Sequence, residues 1–416
     1  MKDNIYDVVI RNIVILNQEE MPIGRDTVNR IVFILSITSF LIDLVSSSWY
    51  MVVPLYLEEL GAPTIAIGIS FAAISVGWYT PQFLGGLLGD KIGRKTLIVI
   101  STLMFIPCYI LLGLTQIWWI ATLAITVFWI FNGVQYPSFN SMIAESVDKR
   151  DWEMAFTTFV FFINLSWAVG PLIGAFIIPL FGYKIVFYSG AIISGICATI
   201  QTLFLHETMQ KRFEDVSRVS LMFNRNIMYF LASYLIFGLA YGMVYPFISL
   251  YADGILKLSF FEIELMFSIS QFAACFGTFP GGMLIKKIGS KYGFMIAILG
   301  SCFSIFMWVF STSFWIATVL LSLFSVFVFS LRDTSYGTLM SSITNTQIRA
   351  TVLGVAATII GLSIAMGSAI GSYLWEFYGP IVPFLLCGVL SFPSSLLLLK
   401  VKTKSEEEAV EHLVRI

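Results

Sequence analysis

The stretch SFLIDLVSSSWY, residues 39–50, places one carboxylate, Asp43, inside an apolar run that begins at Ile31. An aspartate near the middle of a lipid-spanning helix costs about 2.5–3.5 kcal/mol on insertion scales, so it persists where another interaction offsets that cost. Two chemistries fit: a group that gains and loses a proton during a working cycle, and an anchor hydrogen-bonded to nearby hydroxyls. At helical spacing, Ser36, Ser39, Asp43, Ser46, Ser47, Tyr50 and Pro54 form one polar stripe, expected to face water or protein rather than lipid. A second acid, Asp333, follows Arg332 in SLRDTSYG, residues 330–337. Adjacent residues on a helix point apart, so each of the two is expected to need its own partner. For Arg332 two expectations stay open: a direct pair with Asp43, about one helical turn deeper, or snorkelling to the nearer interface. Asp333 is too short to snorkel so far and is the better candidate for proton chemistry.

Neutral polar and aromatic residues gather around these charges. Asn132, Gln135, Tyr136, Phe139 and Asn140 share a helix face, as do Tyr241, Tyr245 and Ser249. Trp78, Tyr79, Gln82, Asn164, Trp167 and Gln271 lie in runs that can border the same space. The expected solute contacts are Tyr50, Asn132, Gln135, Tyr136, Asn164, Tyr241, Tyr245, Gln271 and Arg332. An aromatic, amide-rich lining with few charges suits an amphipathic or weakly polar small molecule better than a multiply charged one. No nucleophile–base pair or metal-ligand cluster is visible, and the five cysteines all lie in apolar runs with no two close together. The strand, glycine loop and helix of a P-loop are also missing, so ATP is not expected as a direct energy source. The reading is of a non-enzyme without cofactor, metal or nucleic-acid partner.

The elements that must hold these residues are set by composition. Of 416 residues 58% are hydrophobic and only 12% charged, against roughly 45–50% and 25% in soluble domains. Crossing ~30 Å of hydrocarbon takes about 20 helical residues. Twelve runs qualify: 31–57, 65–88, 96–114, 117–143, 154–179, 185–205, 227–251, 263–285, 292–311, 314–341, 350–374 and 381–399. They are too long and too uniformly apolar for barrel strands, and a lipid-embedded backbone must satisfy itself, so the fold class is an all-α membrane bundle. Of 24 Lys and Arg, 21 fall in the terminal segments and every second loop. The positive-inside bias places both termini in the cytoplasm of a cell-membrane protein. The stretch 5–16 is interrupted by Asp7, Arg11 and Asn12, so no cleavable leader is expected; it reads as a disordered tail or as a short helix on the leaflet.

The chain is written twice. GGLLGDKIGRK (85–95) returns as GGMLIKKIGSK (281–291), and GPLIGAF (170–176) as GSAIGSY (367–373), at offsets of 196 and 197. Two parallel six-helix halves follow, 31–205 and 227–399, with a terminal segment 1–30, a polar linker 206–226 and a tail 400–416. At offset 195 Gly238 takes the place of Asp43, so the scaffold itself does not require the acid.

Gly86, Asp90, Lys91, Gly93, Arg94 and Lys95 resemble the signature of the major facilitator superfamily, Gly-x-x-x-Asp-Arg-x-Gly-Arg-Lys/Arg, with Lys91 where arginine is usual. The resemblance covers nearly the whole chain. It implies twelve helices in two pseudo-symmetric halves and transport by alternating access. Glycines there are expected where helix 2 approaches a neighbour or turns, and Asp90 and Arg94 form a charge pair that holds one face closed. Gly170, Pro171 and Gly174 match part of the Gly-x-x-x-Gly-Pro-x-x-Gly-Gly motif of the family's proton-driven efflux antiporters, with Ser166 and Ala175 departing from it. Trp129 stands where those antiporters carry an arginine. The switch residues implied are Gly86, Asp90, Gly93, Arg94, Gly170 and Pro171. The resulting expectation is a monomeric, proton-coupled exporter of amphipathic or hydrophobic small molecules, with Asp43 and Asp333 as coupling sites. An uptake symporter for a sugar or organic acid, with Arg332 as anion anchor, is the alternative; a non-transporting receptor or scaffold is the third.

Overall fold

A computed structural model describes residues 30–208, 225–344 and 349–401. Most of the expected terminal segment, linker and tail lies outside the described residues. Among the described residues twelve helices are long and apolar enough to cross a membrane: α1 Arg30–Tyr50, α2 Thr64–Ile92, α3 Arg94–Leu114, α4 Trp118–Ser146, α5 Trp152–Phe181, α6 Tyr183–Phe204, α7 Arg225–Gly254, α8 Phe260–Ile288, α9 Ser290–Trp308, α10 Phe314–Met340, α11 Gly354–Tyr378 and α12 Val382–Leu399. All twelve expected runs are present. Several are interrupted where proline removes a backbone donor. Beyond α1 the chain restarts as a short helix, Val53–Glu59, with Pro54 in its first turn, and α7 passes through a 3-10 turn at Tyr245–Phe247 around Pro246. Within α10, Val326–Arg332 is wound as a π-helix, which the apolar pattern does not announce.

The repeated sequence landmarks are corners and close approaches. Gly93 and Gly289 end α2 and α8 at φ +99° and +87°. Gly182 and Gly379 end α5 and α11 at φ +75° and +98°, and a side chain is strained in that region. A Cβ on Gly170 would lie 2.7 Å from the Leu44 carbonyl of α1, and one on Gly367 would overlap the Leu239 carbonyl of α7. The same words in the two halves therefore seat α5 on α1 and α11 on α7.

The halves meet along two seams, α2 with α11 and α5 with α8, exchanged by the same pseudo-symmetry. Gly68 of α2 sits against Ser368 and Ser372 of α11. Along the other seam Phe176 and Phe261 rings lie 5.1 Å apart, and Ser268 Oγ donates to the Ala168 carbonyl at 2.7 Å. Both seams close the half of the bundle away from the termini, here called the far face.

Candidate functional site

Between the halves lies a cavity of about 430 Å³, lined by α1, α2, α4, α5, α7, α8, α10 and α11. Asp43 reaches it from α1 with Ser39 and Tyr50; Asp333 reaches it from α10. Asn132, Gln135 and Tyr136 come from α4, Asn164 from α5, Tyr241 and Tyr245 from α7, and Gln271 from α8. Ten of the eleven expected coupling and solute residues therefore share one space. Half-exposed Asp333 and the lining residues Phe159 and Thr278 carry the cavity toward the termini-side face, opposite the closed seams.

The walls are aromatic. Tyr50 packs edge-on against Trp129 at 4.9 Å and Trp167 at 5.6 Å, and Trp78 meets Trp129 at 5.4 Å and Tyr136 at 5.5 Å. Tyr241 and Tyr245 stack at 4.9 Å. Trp129, in the place where the antiporter motif has arginine, is thus a wall of the cavity. The α1 stripe divides: Ser39, Asp43 and Tyr50 face the cavity, while Ser47 is buried and donates to the Ser166 carbonyl of α5 at 2.9 Å. The Asp43 carboxyl has no hydrogen bond or ion pair with another described side chain, so the anchoring chemistry is not what holds it. At the equivalent Gly238 a Cβ would meet Ile360 Cδ1 at 2.5 Å and Ser363 Cβ at 2.9 Å, so a side chain there would have to displace α11 neighbours.

Arg332 departs from expectation. It does not line the cavity, pairs neither with Asp43 nor with the interface, and bonds its own neighbour: Nε and a terminal nitrogen donate to Asp333 Oδ1 at 2.9 and 2.6 Å. Its guanidinium lies 5.4 Å from the Phe237 ring centroid, and its side chain is only 12% exposed. Adjacent helical side chains ordinarily point apart; here the pair forms at the end of the π-wound stretch, where the long, flexible arginine side chain reaches its neighbour.

Among the expected switch residues, Arg94 bonds Asp90 at 2.7 Å and approaches Glu145 of α4 at 3.4 Å, while Glu207 accepts from the Arg94 and Lys95 backbone at 3.0 and 3.1 Å. None of these contacts reaches the second half. The close approach expected of Gly86 falls instead on Gly85, where a Cβ would overlap the Val134 carbonyl; nothing lies within 4 Å of a Cβ on Gly86. Helix phase explains the shift, since adjacent positions differ by about 100° and only one faces α4. The Cβ face of Gly86 therefore meets no neighbour. Substituting Gly86→Leu is expected to leave thermal stability within about 0.5 kcal/mol, because the new side chain starts in open space, while lowering transport turnover at least tenfold if the position serves the conformational switch; melting curves and transport rates on the same preparation check both.

Sequence reasoning missed Glu264, which is 0% exposed and has both carboxyl oxygens unpartnered. It stands at the start of the expected span 263–285, where a charge is ordinary. The signal was its register with Ser268 and Gln271, four and seven residues on.

Two helical halves around a central cavity, sealed at one face by paired seams, define a membrane protein of the alternating-access class. The chain belongs to the Major Facilitator Superfamily, whose family model matches residues 35–253 and 230–414. It is 25% identical over 370 residues to an uncharacterised MFS-type transporter of Methanocaldococcus jannaschii, covering 84% of this chain and 92% of that one. It is 26% identical over 177 residues to the quinolone resistance protein NorA of Staphylococcus aureus, covering 42% of this chain and 45% of that protein. Among solved structures, a point mutant of the nucleoside transporter NupG superposes with a TM-score of 0.77 at 15% identity, over 89% of this chain and 99% of that one. A bacterial homologue of the human lysosomal transporter Spinster gives 0.72 at 13% identity, over 89% and 96%. The protein is a secondary transporter working by alternating access.

Proposed function

We propose that the transporter exports amphipathic, preferentially cationic, small molecules in exchange for protons across the cell membrane, as a monomer with both termini cytoplasmic and six-helix halves at 31–205 and 227–399. The observation that carries this reading is the charge of the cavity lining: Asp43 has no ion pair among the described residues, Asp333 is paired to an Arg332 that stands outside the lining, and no lysine, arginine or histidine is among the lining residues. Tryptophan and tyrosine faces attract a cation, by about 2 kcal/mol or more when desolvated. A carboxylate open to the cavity can hold either that cation or a proton, and exclusive occupancy of one site is the simplest exchange mechanism. The similarity to NorA, named for quinolone resistance, supports export of aromatic amphipaths. In proteoliposomes with an imposed pH gradient, a lipophilic cationic dye should accumulate on the acidic side; no accumulation in either orientation overturns the reading.

The uptake alternative needs Arg332 as an anion anchor, and Arg332 is already bound to Asp333. Arg332→Ala is expected to preserve or strengthen binding of the cationic dye, measured by tryptophan quenching, because Asp333 loses its neutralising partner. Loss of organic-anion binding in that variant would favour the symporter instead.

A further inference from the structure

Glu264 lies on α8 in the far-face seam, outside the cavity. It is two helical turns, about 10 Å, beyond Gln271, which does line the cavity. Toward the far face comes the Phe261–Phe176 contact, and toward the cavity the Ser268–Ala168 hydrogen bond. Across the seam stands Gly174 of α5, where a Cβ would lie 3.0 Å from Glu264 Oε1 and would overlap the Ser48 carbonyl of α1. The acid is thus clamped between the two halves in a space that exists because position 174 has no side chain.

The groups facing it leave its charge uncompensated. Gly174 and the Ser48 carbonyl do not ionise, and Glu262 on its own helix is engaged in the capping box with Ser259. Tyr183 of α6 is in electrostatic range and relates it to Glu59, Tyr56 and Asp253. No described lysine, arginine or histidine makes an ion pair with it, and neither oxygen accepts a hydrogen bond from a described group. Above the seam a second cavity of about 470 Å³ on the far face is lined by Glu58, Glu59, Asp253 and Tyr183. Burial and neighbouring Asp253 push the Glu58 carboxyl above its ordinary range. An ionised carboxylate without a partner is far more costly in such a place than the neutral acid, which buries polar atoms but no charge.

We infer that Glu264 is a second proton-binding site, which takes its proton from the far-face vestibule and must hold it for the α5–α8 seam to close. Parting the seam admits water, and the proton leaves to the same face as the carboxylate forms. Glu264 therefore gates the far face without carrying protons across the membrane, a role separate from that of Asp43. The inference rests on the alternating-access reading but not on the substrate or on coupling through Asp43.

Hydrogen exchange of the far ends of α5 and α8, compared at pH 5.5 and 7.5 after correction for intrinsic exchange rates, tests it in the full chain. Wild-type protection there is expected to fall about tenfold at the higher pH as the seam opens. Glu264→Gln, uncharged and nearly isosteric, should stay protected at both values, and Glu264→Asp should retain the fall. Asp43→Asn should also retain it, which separates failure of this gate from failure of the export scheme. Equal wild-type protection at both pH values, a wild-type response in Glu264→Gln, or a response that follows sodium at fixed pH would overturn the assignment.

Discussion

Asp43→Asn is expected to abolish accumulation of a lipophilic cation against its gradient while leaving exchange of labelled for unlabelled dye across the membrane intact. A two-unit pH gradient is worth about 2.7 kcal/mol per proton, enough for roughly 100-fold accumulation by one-for-one exchange. Asparagine keeps the volume and polarity of the side chain but cannot hold the proton, so the gradient has nothing to act on and accumulation should fall to near unity. Exchange persists because the cavity walls, Trp129, Trp167, Trp78 and the tyrosines, are untouched. The geometry makes this a sharp test: the Asp43 carboxyl lines the cavity and has no side-chain partner, so the substitution removes no structural bond. Retained accumulation in the variant would shift the coupling role to Asp333 or remove protons from the scheme.

The second large effect is structural. Gly170→Leu and Gly367→Leu are each expected to destabilise the protein by about 3 kcal/mol or more, the upper end of the overpacking range, because the new side chain meets backbone rather than a movable group. At Gly170 the Cβ would lie 2.7 Å from the Leu44 carbonyl and overlap Ser47 Oγ; at Gly367 it would overlap the Leu239 carbonyl and lie 3.0 Å from the Gly242 Cα. Both variants should lose monodispersity and melt far below wild type, and Gly86→Leu on the same preparation should not. Parallel melting of the first two would confirm that the duplicated glycine motif serves packing of α5 on α1 and α11 on α7 before it serves any switch. A normal melt for either would mean that the helices can separate at little cost, as a motif devoted only to conformational change would allow.

The architecture was legible because lipid imposes it residue by residue. Uniform apolar runs set the twelve helices, and the two offsets near 196 exposed the duplication that the packing of Gly170 and Gly367 now displays. The cavity residues were legible for a related reason: Asp43, Asn132, Gln135, Asn164 and Gln271 are polar in helices that otherwise meet lipid, and polar atoms gather where lipid is absent.

Other features depended on contacts that no pattern of periodicity contains. Arg332 and Asp333 pair where the π-wound stretch of α10 ends, and the apolar pattern of that helix does not announce the stretch. The division of labour between Gly85 and Gly86 depends on the rotation of α2 about its axis, which its neighbours set. Glu264 is sealed because α5 packs over it. The sequence alone determined which segments cross the membrane and which polar residues they carry, since burial in hydrocarbon acts on each segment separately. Only the tertiary structure decided which of those residues are neutralised, which are open to the cavity and which are sealed without a partner, because pairing and hydration are properties of surfaces brought together by the fold.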